Sequence, residues 1–271
     1  MARPTRRLSG RPARFEEVAA EFILIAGGGR ALLLQLAHPA VARGVAEHSE
    51  FASDPTKRLV GTVDYLYTLA FGTEEQIRAS ARAVGRAHRG VRAETGEPAY
   101  DARDPDLQLW VAATLYDTTV QMYELAWGPL DDTSADEVYF RSARIGTALG
   151  MPAELWPVDR AAFAEYWAQQ LERLEVSPTA RRVARQLLRP DRPAPWMGPV
   201  LPLARVVTAG LLPERIRRGY GVDWSAARER DYQRRLTWML RIYRAMPRSI
   251  RTAPSAASRR GRATLASAGR P

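Results

Sequence analysis

The stretch DPDLQLWVAATLYDTTVQMYELAW, residues 104–127, decides the fold class because it combines the start signal of a helix with helical spacing. Asp104 supplies a side-chain oxygen that can cap free backbone amides, and Pro105 loses no hydrogen bond at the first helical position. The apolar side chains that follow recur at intervals of three and four. They are Leu107, Trp110, Val111, Leu115, Met122 and Leu125. The stretch therefore predicts a helix over residues 105–127.

Similar signals occur on both sides of this helix and predict an all-α fold. A capping residue is followed by proline at 54–55 and 177–178, and Thr73 and Gln76 have the spacing of a capping box. No segment shows the sustained alternation of a half-buried strand. We predict nine helices and a further short one, at about residues 14–26, 30–46, 55–71, 74–92, 105–127, 134–149, 160–175, 178–189 and 224–245, with the short one at 200–211.

We expect a single domain over residues 15–246, flanked by two basic segments. Residues 1–14 and 251–271 carry five arginines each and no acidic residue. Subtracting these ten from the 40 basic residues leaves 30, against 30 acidic ones, so the part that folds is neutral. Residues 1–14 are predicted to be a disordered arm, and residues 247–271, rich in Ser, Ala and Gly, a disordered tail.

The positions of the charged residues in the chain indicate which kinds of partner the protein binds. A neutral folded body lacks the basic patch of a nucleic-acid-binding domain, so we predict no specific binding to nucleic acid. The net charge of +10 is carried by the two ends of the chain. These ends are expected to make at most weak peripheral contact with an anionic membrane.

Composition excludes several classes of site. The chain has no cysteine, which excludes disulfides, thiolate metal sites and a cysteine nucleophile. Glu16 and Glu17 interrupt the N-terminal region before an apolar run begins, unlike a secretory signal. No segment approaches the roughly 20 apolar residues that span a bilayer. We therefore expect a cytoplasmic protein.

Two of the three histidines lie in LQLAHPAVARGVAEHSEF, residues 34–51. His38 and His48 are ten residues apart, which would place them about 80° apart around an ideal helix, and Pro39 disturbs even that geometry. A pair of metal ligands on one helix would need a spacing of three or four. The residues favour a structural role for both histidines and leave a ligand role open.

His88 differs because it continues an apolar stripe on its predicted helix. The stripe consists of Ile77, Ala81, Val84, His88 and Val91, spaced by four, three, four and three. The imidazole is therefore expected to project from a buried face, where either a satisfied core histidine or a ligand fits. A haem iron needs one axial protein ligand and an apolar slot. On the preceding helix, Arg58 and Thr62 share one face.

Four phrases at these positions carry a resemblance to a known family. They are GGGRALLLQLAHPAVARGVAEHSEF (27–51), DPTKRLVGTVDYLYTLAFG (54–72), RAHRGVR (86–92) and YDARDPDLQLWVAATLYDT (100–118). Over about residues 18–245 the chain resembles the MpaB-type oxygenases, which share their domain with the rubber oxygenases called latex-clearing proteins. The resemblance implies a globin-like helical core with additional helices and a b-type haem.

The resemblance also implies roles for individual residues. The family pattern of an arginine, a threonine four residues later and a proximal histidine falls here on Arg58, Thr62 and His88. It implies that His88 is the axial iron ligand and that Arg58 and Thr62 shape the haem surroundings or the distal pocket. His38 and His48 are second-tier candidates, for contacts with the haem propionates or for hydrogen bonds in the pocket.

This sequence departs from the rubber oxygenases in three respects. Gly61 stands where some latex-clearing proteins have a lysine that can occupy the distal iron position. A glutamate that serves those enzymes as a base is not placed by the pattern, and Glu47 and Glu50 are candidates for it. The export signal of the secreted enzymes is missing as well, so we do not expect an extracellular polymer as substrate.

The leading hypothesis is therefore a haem b-dependent oxygenase that uses dioxygen on a hydrophobic, isoprenoid-like small molecule. Oxidative cleavage of a carbon–carbon double bond is a reaction that the resemblance implies. The rival hypothesis is a helical module without catalytic turnover that docks on an anionic membrane or protein through its basic termini. A third is an enzyme that shares the fold and binds no haem, because fold alone does not determine function.

Overall fold

The computed structural model describes residues 10–48, 55–189, 198 and 201–268. The side chains of residues 55–58 and 263–268 lie outside the described part, although these residues are helical. The described chain is all-α apart from one short two-stranded ribbon, which confirms the predicted fold class of a single all-α domain. The globin-like character of the core stays a prediction.

The helices alternate with short connections. They are α1 (Phe15–Ala20), α2 (Ile23–Ala26), α3 (Gly28–Ala37), α4 (Pro39–Glu47), α5 (Pro55–Phe71), α6 (Glu74–His88), α7 (Pro105–Trp127), α8 (Asp132–Ser142), α9 (Arg144–Thr147), α10 (Arg160–Arg173), α11 (Pro178–Leu188), α12 (Leu201–Leu211), α13 (Glu214–Gly219), α14 (Ala226–Ala245), α15 (Arg248–Arg251) and α16 (Ala253–Ala268). A 3-10 turn covers Ala153–Leu155, and β1 (Arg92–Ala93) pairs antiparallel with β2 (Tyr100–Asp101). In the described part of the chain, no helix has the length and apolarity needed to cross a membrane.

The predicted start signals act as caps. The side chains of Asp104 and Ser177 accept hydrogen bonds from backbone amides in the first turns of α7 and α11. Thr73 and Gln76 exchange reciprocal hydrogen bonds at the start of α6, as a capping box does. The bounds of α5 and α7 agree with the predicted ones, and each helix begins at a proline. Residue 54, the predicted cap of α5, lies outside the described residues.

Three predicted helices are divided in the structure, and the one predicted over 134–149 is divided at Ala143 into α8 and α9. The helix predicted over 30–46 breaks at His38, whose backbone is extended (φ −79°, ψ 121°). Pro39 causes the break, because its ring disfavours the helical conformation in the residue before it. The helix predicted over 14–26 breaks at Glu21, which is also extended. The break at Glu21 turns α1 away from α2 and sets the Glu21 side chain into the interior.

The long helix α7 forms the centre of the molecule. Trp110, Ala113 and Met122 are almost fully buried along its length. Helices α2, α3, α8 and α14 pack against it. The loss of this apolar surface from water is the main stabilising contribution to such a core.

The C-terminal segment is helical where the sequence predicts a disordered tail. Helices α15 and α16 occupy most of it, and α16 packs against α1 and α5. Ser255 is fully buried, and the Arg262 guanidinium lies 3.4 Å from the carboxylate of Asp64 on α5. The prediction of disorder is therefore wrong for residues 247–268. Alanine and arginine are strong helix formers, and these side chains find partners on the folded body.

Part of the predicted N-terminal arm also lies on the body. The Arg11 amide donates to the Pro129 carbonyl at 2.8 Å, and Ala13 is buried. Residues 1–9 lie outside the described residues, so the prediction of disorder stands untested there. Between α11 and α12, only residues 189 and 198 are described.

Candidate active site

An apolar cavity lies between α5 and the helices α1, α2, α3, α7 and α8. Its enclosed part measures about 110 Å³, and the empty volume of about 890 Å³ includes space open to the solvent. Small-molecule sites typically measure about 300–1,000 Å³, so the enclosed part is smaller than a typical site. Much of the wall is aliphatic or aromatic, with Phe15, Leu24, Leu66, Leu115 and Ile145 among the lining residues. Such a wall favours an apolar ligand, because binding removes the apolar surface of that ligand from water.

One wall of the cavity is formed by α5. Leu59, Thr62, Val63 and Leu66 line it at intervals of three and four, so they share one face of the helix. Thr62, a predicted site residue, is thus placed on the cavity. Arg58 precedes it by one turn on α5, but the Arg58 side chain lies outside the described residues, and its role stays a prediction.

The charged side chains on the described wall already have partners of opposite charge. Glu21 is 8% exposed, forms an ion pair with Arg251 of α15 and accepts a hydrogen bond from the Tyr243 hydroxyl. Arg141 of α8 forms an ion pair of 2.7 Å with Glu16 of α1. The described lining therefore offers no unpaired charge to a ligand.

A buried ion pair joins α3 to α7 beside the cavity. Arg30 lies 2.5 Å from the carboxylate of Asp117 and donates to the hydroxyl of Thr118 at 2.6 Å. It also donates to the Leu211 carbonyl at 3.0 Å. Burial raises the pKa of Asp117, and the charge of Arg30 opposes that shift. Because Thr118 lines the cavity, this network holds α7 in place there.

His88 lies at the end of a helical hairpin and outside the cavity lining. It is half-buried, and no histidine occurs among the described residues that line the cavity. Helix α6 follows α5 after two residues, and Val84 packs against the cluster that contains Tyr65 and Leu69 of α5. The two helices thus form a hairpin with its turn at residues 72–73. His88 and Arg58 both lie far from that turn along their helices.

The predicted apolar stripe of α6 is buried only in part. Ile77 is 4% exposed, whereas Ala81, Val84 and His88 are half-buried. The helix also ends at His88, four residues earlier than predicted. The His88 carbonyl accepts a hydrogen bond from the Val91 amide at 2.9 Å, and the chain then enters β1.

His38 stands between α3 and α4, away from the cavity lining. Its Nδ1 atom is buried and has no hydrogen-bond partner among the described residues. Burial lowers the pKa of His38, and the charge of Asp104 opposes this shift. A neutral imidazole with one unsatisfied nitrogen is the form that results.

His48 belongs to a polar cluster at the end of α4. Its Nε2 lies 3.2 Å from the hydroxyl of Tyr100, which donates to Glu47 at 2.7 Å. Glu47 also accepts from Arg43 at 2.7 Å, and the hydrogen bonds from Tyr100 and Arg43 lower the pKa of Glu47. The structure therefore places Glu47, a candidate base, outside the cavity lining. Glu50, the other candidate, lies outside the described residues.

The described residues meet one of the two requirements of a haem site. The cavity supplies apolar walls, but His88 lies outside the described lining. A single axial imidazole is enough to hold a haem iron. The described part of the chain contains no group of three or more His, Asp or Glu side chains that could hold a metal ion without a haem.

A family model matches the part of the chain that contains most of the helices described above. Residues 16–242 match the model described as ER-bound oxygenase mpaB/B'/Rubber oxygenase, catalytic domain. The chain belongs to this family. The match includes α5, α6 and α7, and with them Arg58, Thr62 and His88. The resemblance seen in the sequence is thereby confirmed, and the chain carries an oxygenase-family catalytic domain.

Two mycobacterial proteins are similar to this chain over most of its length. They are uncharacterized protein Mb2261 of Mycobacterium bovis and uncharacterized protein Rv2237 of Mycobacterium tuberculosis. Each is 37% identical over 225 residues, which cover 81% of this chain and 87% of the relative. No solved structure shows a significant match to the chain.

Several lining residues were not found from the sequence. Tyr67 and Thr119 lie next to residues that were assigned to apolar faces, and the patterns gave them no separate signal. Glu21 reaches the cavity because the chain breaks between α1 and α2. Its partner Arg251 is 230 positions away in the chain, a separation that no local pattern reports.

Proposed function

We propose that the protein is a haem b-dependent oxygenase that uses dioxygen to oxidise a hydrophobic, isoprenoid-like small molecule held in the cavity. The supporting observation is the apolar cavity whose wall carries Thr62, within a chain of an oxygenase family. Oxidative cleavage of a carbon–carbon double bond is the reaction that we infer from the family resemblance.

In this proposal His88 is the axial ligand of the iron. The family pattern supports the assignment, because it combines His88 with Arg58 and Thr62, which lie one turn apart on α5. Arg58 and Thr62 shape the haem surroundings. When bound, the haem supplies the redox chemistry with dioxygen, which no protein side chain provides.

The other histidines have secondary roles in the proposal. His38 is the candidate for a hydrogen bond with a propionate because it has a buried nitrogen without a partner among the described residues, although it lies away from the cavity lining. His48 lies within hydrogen-bonding distance of Tyr100. It is therefore the weaker candidate of the two.

The remaining residues bind the substrate and exclude water. The apolar side chains of α5 and α7 surround the hydrophobic molecule and keep solvent from the reacting bond. Exclusion of water strengthens the electrostatic interactions inside the site. The buried pair of Arg30 and Asp117 keeps α3 and α7 together, so the cavity has its shape before the substrate enters.

The iron assignment is tested by replacing the imidazole. His88→Ala should purify folded with far less than stoichiometric haem, judged by the ratio of Soret to protein absorbance after haem addition. Arg82→Ala is the matched control, because Arg82 is an exposed residue of the same helix. Equal haem content in His88→Ala and the control would overturn the assignment.

The same purified protein also tests the alternative function, which is a module that docks on an anionic membrane or protein without catalytic turnover. Absence of a Soret band after haem addition, together with salt-sensitive binding to phosphatidylserine vesicles, would favour it. Two arginines of the C-terminal segment, Arg251 and Arg262, already pair with Glu21 and Asp64. These pairs leave fewer basic side chains of that segment for an anionic surface.

A further inference from the structure

The polar groups of the cavity fall into two sets. The charged ones, Glu21 and Arg141, are neutralised by Arg251 and Glu16. The hydroxyl of Ser142 donates to the carbonyl of the preceding turn of α8, at 2.7 Å. What remains for a ligand is therefore a small number of neutral hydroxyl groups.

Tyr67 carries the most informative of these hydroxyls. The residue lines the cavity and is 7% exposed. Its hydroxyl oxygen is buried and has no hydrogen-bond partner among the described residues. Burial raises the pKa of Tyr67, so the group remains a neutral donor. Buried tyrosine hydroxyls normally have a partner, which points to a partner that is not part of the described protein.

Thr119 offers a second hydroxyl, from α7. It lines the cavity, and none of the hydrogen bonds between described residues involves its side chain. The adjacent Thr118 differs, because its hydroxyl accepts from Arg30. Tyr67 on α5 and Thr119 on α7 thus present neutral hydrogen-bonding groups from two helices, and Thr62 on α5 adds a further hydroxyl to a wall whose charged side chains are paired.

We propose that the cavity selects a neutral, mainly apolar molecule with one oxygen group, such as a carbonyl, that accepts a hydrogen bond from Tyr67, with Thr119 as the second contact. This inference rests on the proposed function only in taking the cavity as the substrate site. A plain hydrocarbon would leave the Tyr67 hydroxyl unpaired. A carboxylate would enter a wall with no unpaired positive charge, where a buried anion is unfavourable.

Three probes that differ only in the end group test the inference. They are decan-2-one, decane and decanoate, titrated into the purified full-length protein and followed by calorimetry. Decan-2-one should bind at least about tenfold more tightly than decane or decanoate, since a hydrogen bond of ordinary strength corresponds to about tenfold in affinity. Equal affinities for decan-2-one and decane, or tighter binding of decanoate, would overturn it.

The Tyr67→Phe variant isolates the hydroxyl. It should bind decan-2-one about tenfold more weakly and decane unchanged. Tyr65→Phe is the matched control on the same helix, because the Tyr65 hydroxyl donates to the Ile145 carbonyl at 3.0 Å and Tyr65 does not line the cavity. Tyr65→Phe should leave the ratio of the two affinities unchanged. An unchanged ratio in Tyr67→Phe as well would refute the role of Tyr67.

The outcomes also separate this inference from the proposed function. Binding of all three probes without preference overturns the selection by Tyr67 and leaves the hydrophobic substrate site in place. If none of the probes binds, both the selection and the use of the cavity as the substrate site are overturned. Haem content is measured on the same samples and reports on the iron assignment separately.

Discussion

Arg251 lies beyond residues 16–242, which match the family model, yet its side chain contacts the cavity wall. Its guanidinium pairs with Glu21, and the two side chains are 13% and 10% exposed. The Trp127 ring centre lies 4.5 Å from the guanidinium carbon. Loss of Arg251 would leave the Glu21 carboxylate buried without its counter-charge, which is far costlier than loss of an exposed pair.

We predict that Arg251→Ala lowers the free energy of unfolding by about 3 kcal/mol. The control is Arg248→Ala, which removes the pair with Glu17, where the side chains are 68% and 45% exposed. An exposed pair contributes about 1 kcal/mol or less. Urea denaturation followed by tryptophan fluorescence measures both. Equal losses in the two variants would contradict the buried role of Arg251.

His38 gives the protein a pH-dependent contribution to stability. Burial lowers the pKa of His38 below its ordinary value of 6.5, with Asp104 opposing the shift. As the pH falls below about 6.5, the unfolded chain therefore binds more protons than the folded one, and the folded state loses stability. His38→Gln should flatten this dependence below about pH 6.5. Both proteins should show the same slope near pH 8, and an unchanged slope below pH 6.5 would contradict the prediction.

At the scale of elements, the hairpin of α5 and α6 depends on the cap that begins α6. Thr73 and Gln76 bond to each other's backbone amides there. We predict that Thr73→Ala lowers the free energy of unfolding by about 1 kcal/mol, because amides of the first turn lose their acceptor. Glu75→Ala, an exposed change in the same turn, should cost less than about 0.5 kcal/mol. Chemical denaturation at neutral pH compares the two, and a loss in Glu75→Ala as large as in Thr73→Ala would argue against the cap.

The sequence predicts most of the helices but few of the breaks between them. Helices α5 and α7 agree with their predicted bounds because capping residues and prolines mark where they start. The break at Glu21 carries no proline or glycine, and it depends on packing that brings Arg251 and Tyr243 to that carboxylate. Local patterns report hydrogen bonding within a few residues, so they miss such a break.

Of the candidate site, only the residues that belong to a sequence pattern could be predicted. Thr62 is found on the cavity because it shares the inward face of α5, as expected from helical periodicity. His88 lies on the neighbouring helix and outside the lining, so its ligand role stays a prediction. Tyr67 becomes informative only when its hydroxyl is seen to be buried without a described partner, and burial of a single atom depends on the whole fold.

At the scale of the whole molecule, the C-terminal segment holds the wall of the cavity. Helix α16 packs on α5, which lines the cavity, and Arg251 of α15 pairs with Glu21. The segment thus contacts two parts of the cavity wall, the helix α5 and the side chain of Glu21. We therefore expect changes in this segment to alter both the stability of the fold and the shape of the cavity.

Deletion of residues 247–271 should lower the thermal unfolding midpoint by more than Arg251→Ala does, and should weaken decane binding. The reason is that deletion removes the ion pair of Arg251 with Glu21 and also the packing of α16 on α1 and α5. Deletion of residues 269–271 is the control, and it should change neither quantity. A truncated protein as stable as the full chain would show that the segment does not support the body.

The claim that the protein is a haem oxygenase is tested most directly by the carbon monoxide difference spectrum of the dithionite-reduced, haem-loaded protein. The account predicts one haem per chain and a Soret band that shifts when carbon monoxide binds, because an oxygenase needs an iron position open to dioxygen. A protein that takes up no haem, or one whose reduced spectrum does not respond to carbon monoxide, would contradict it.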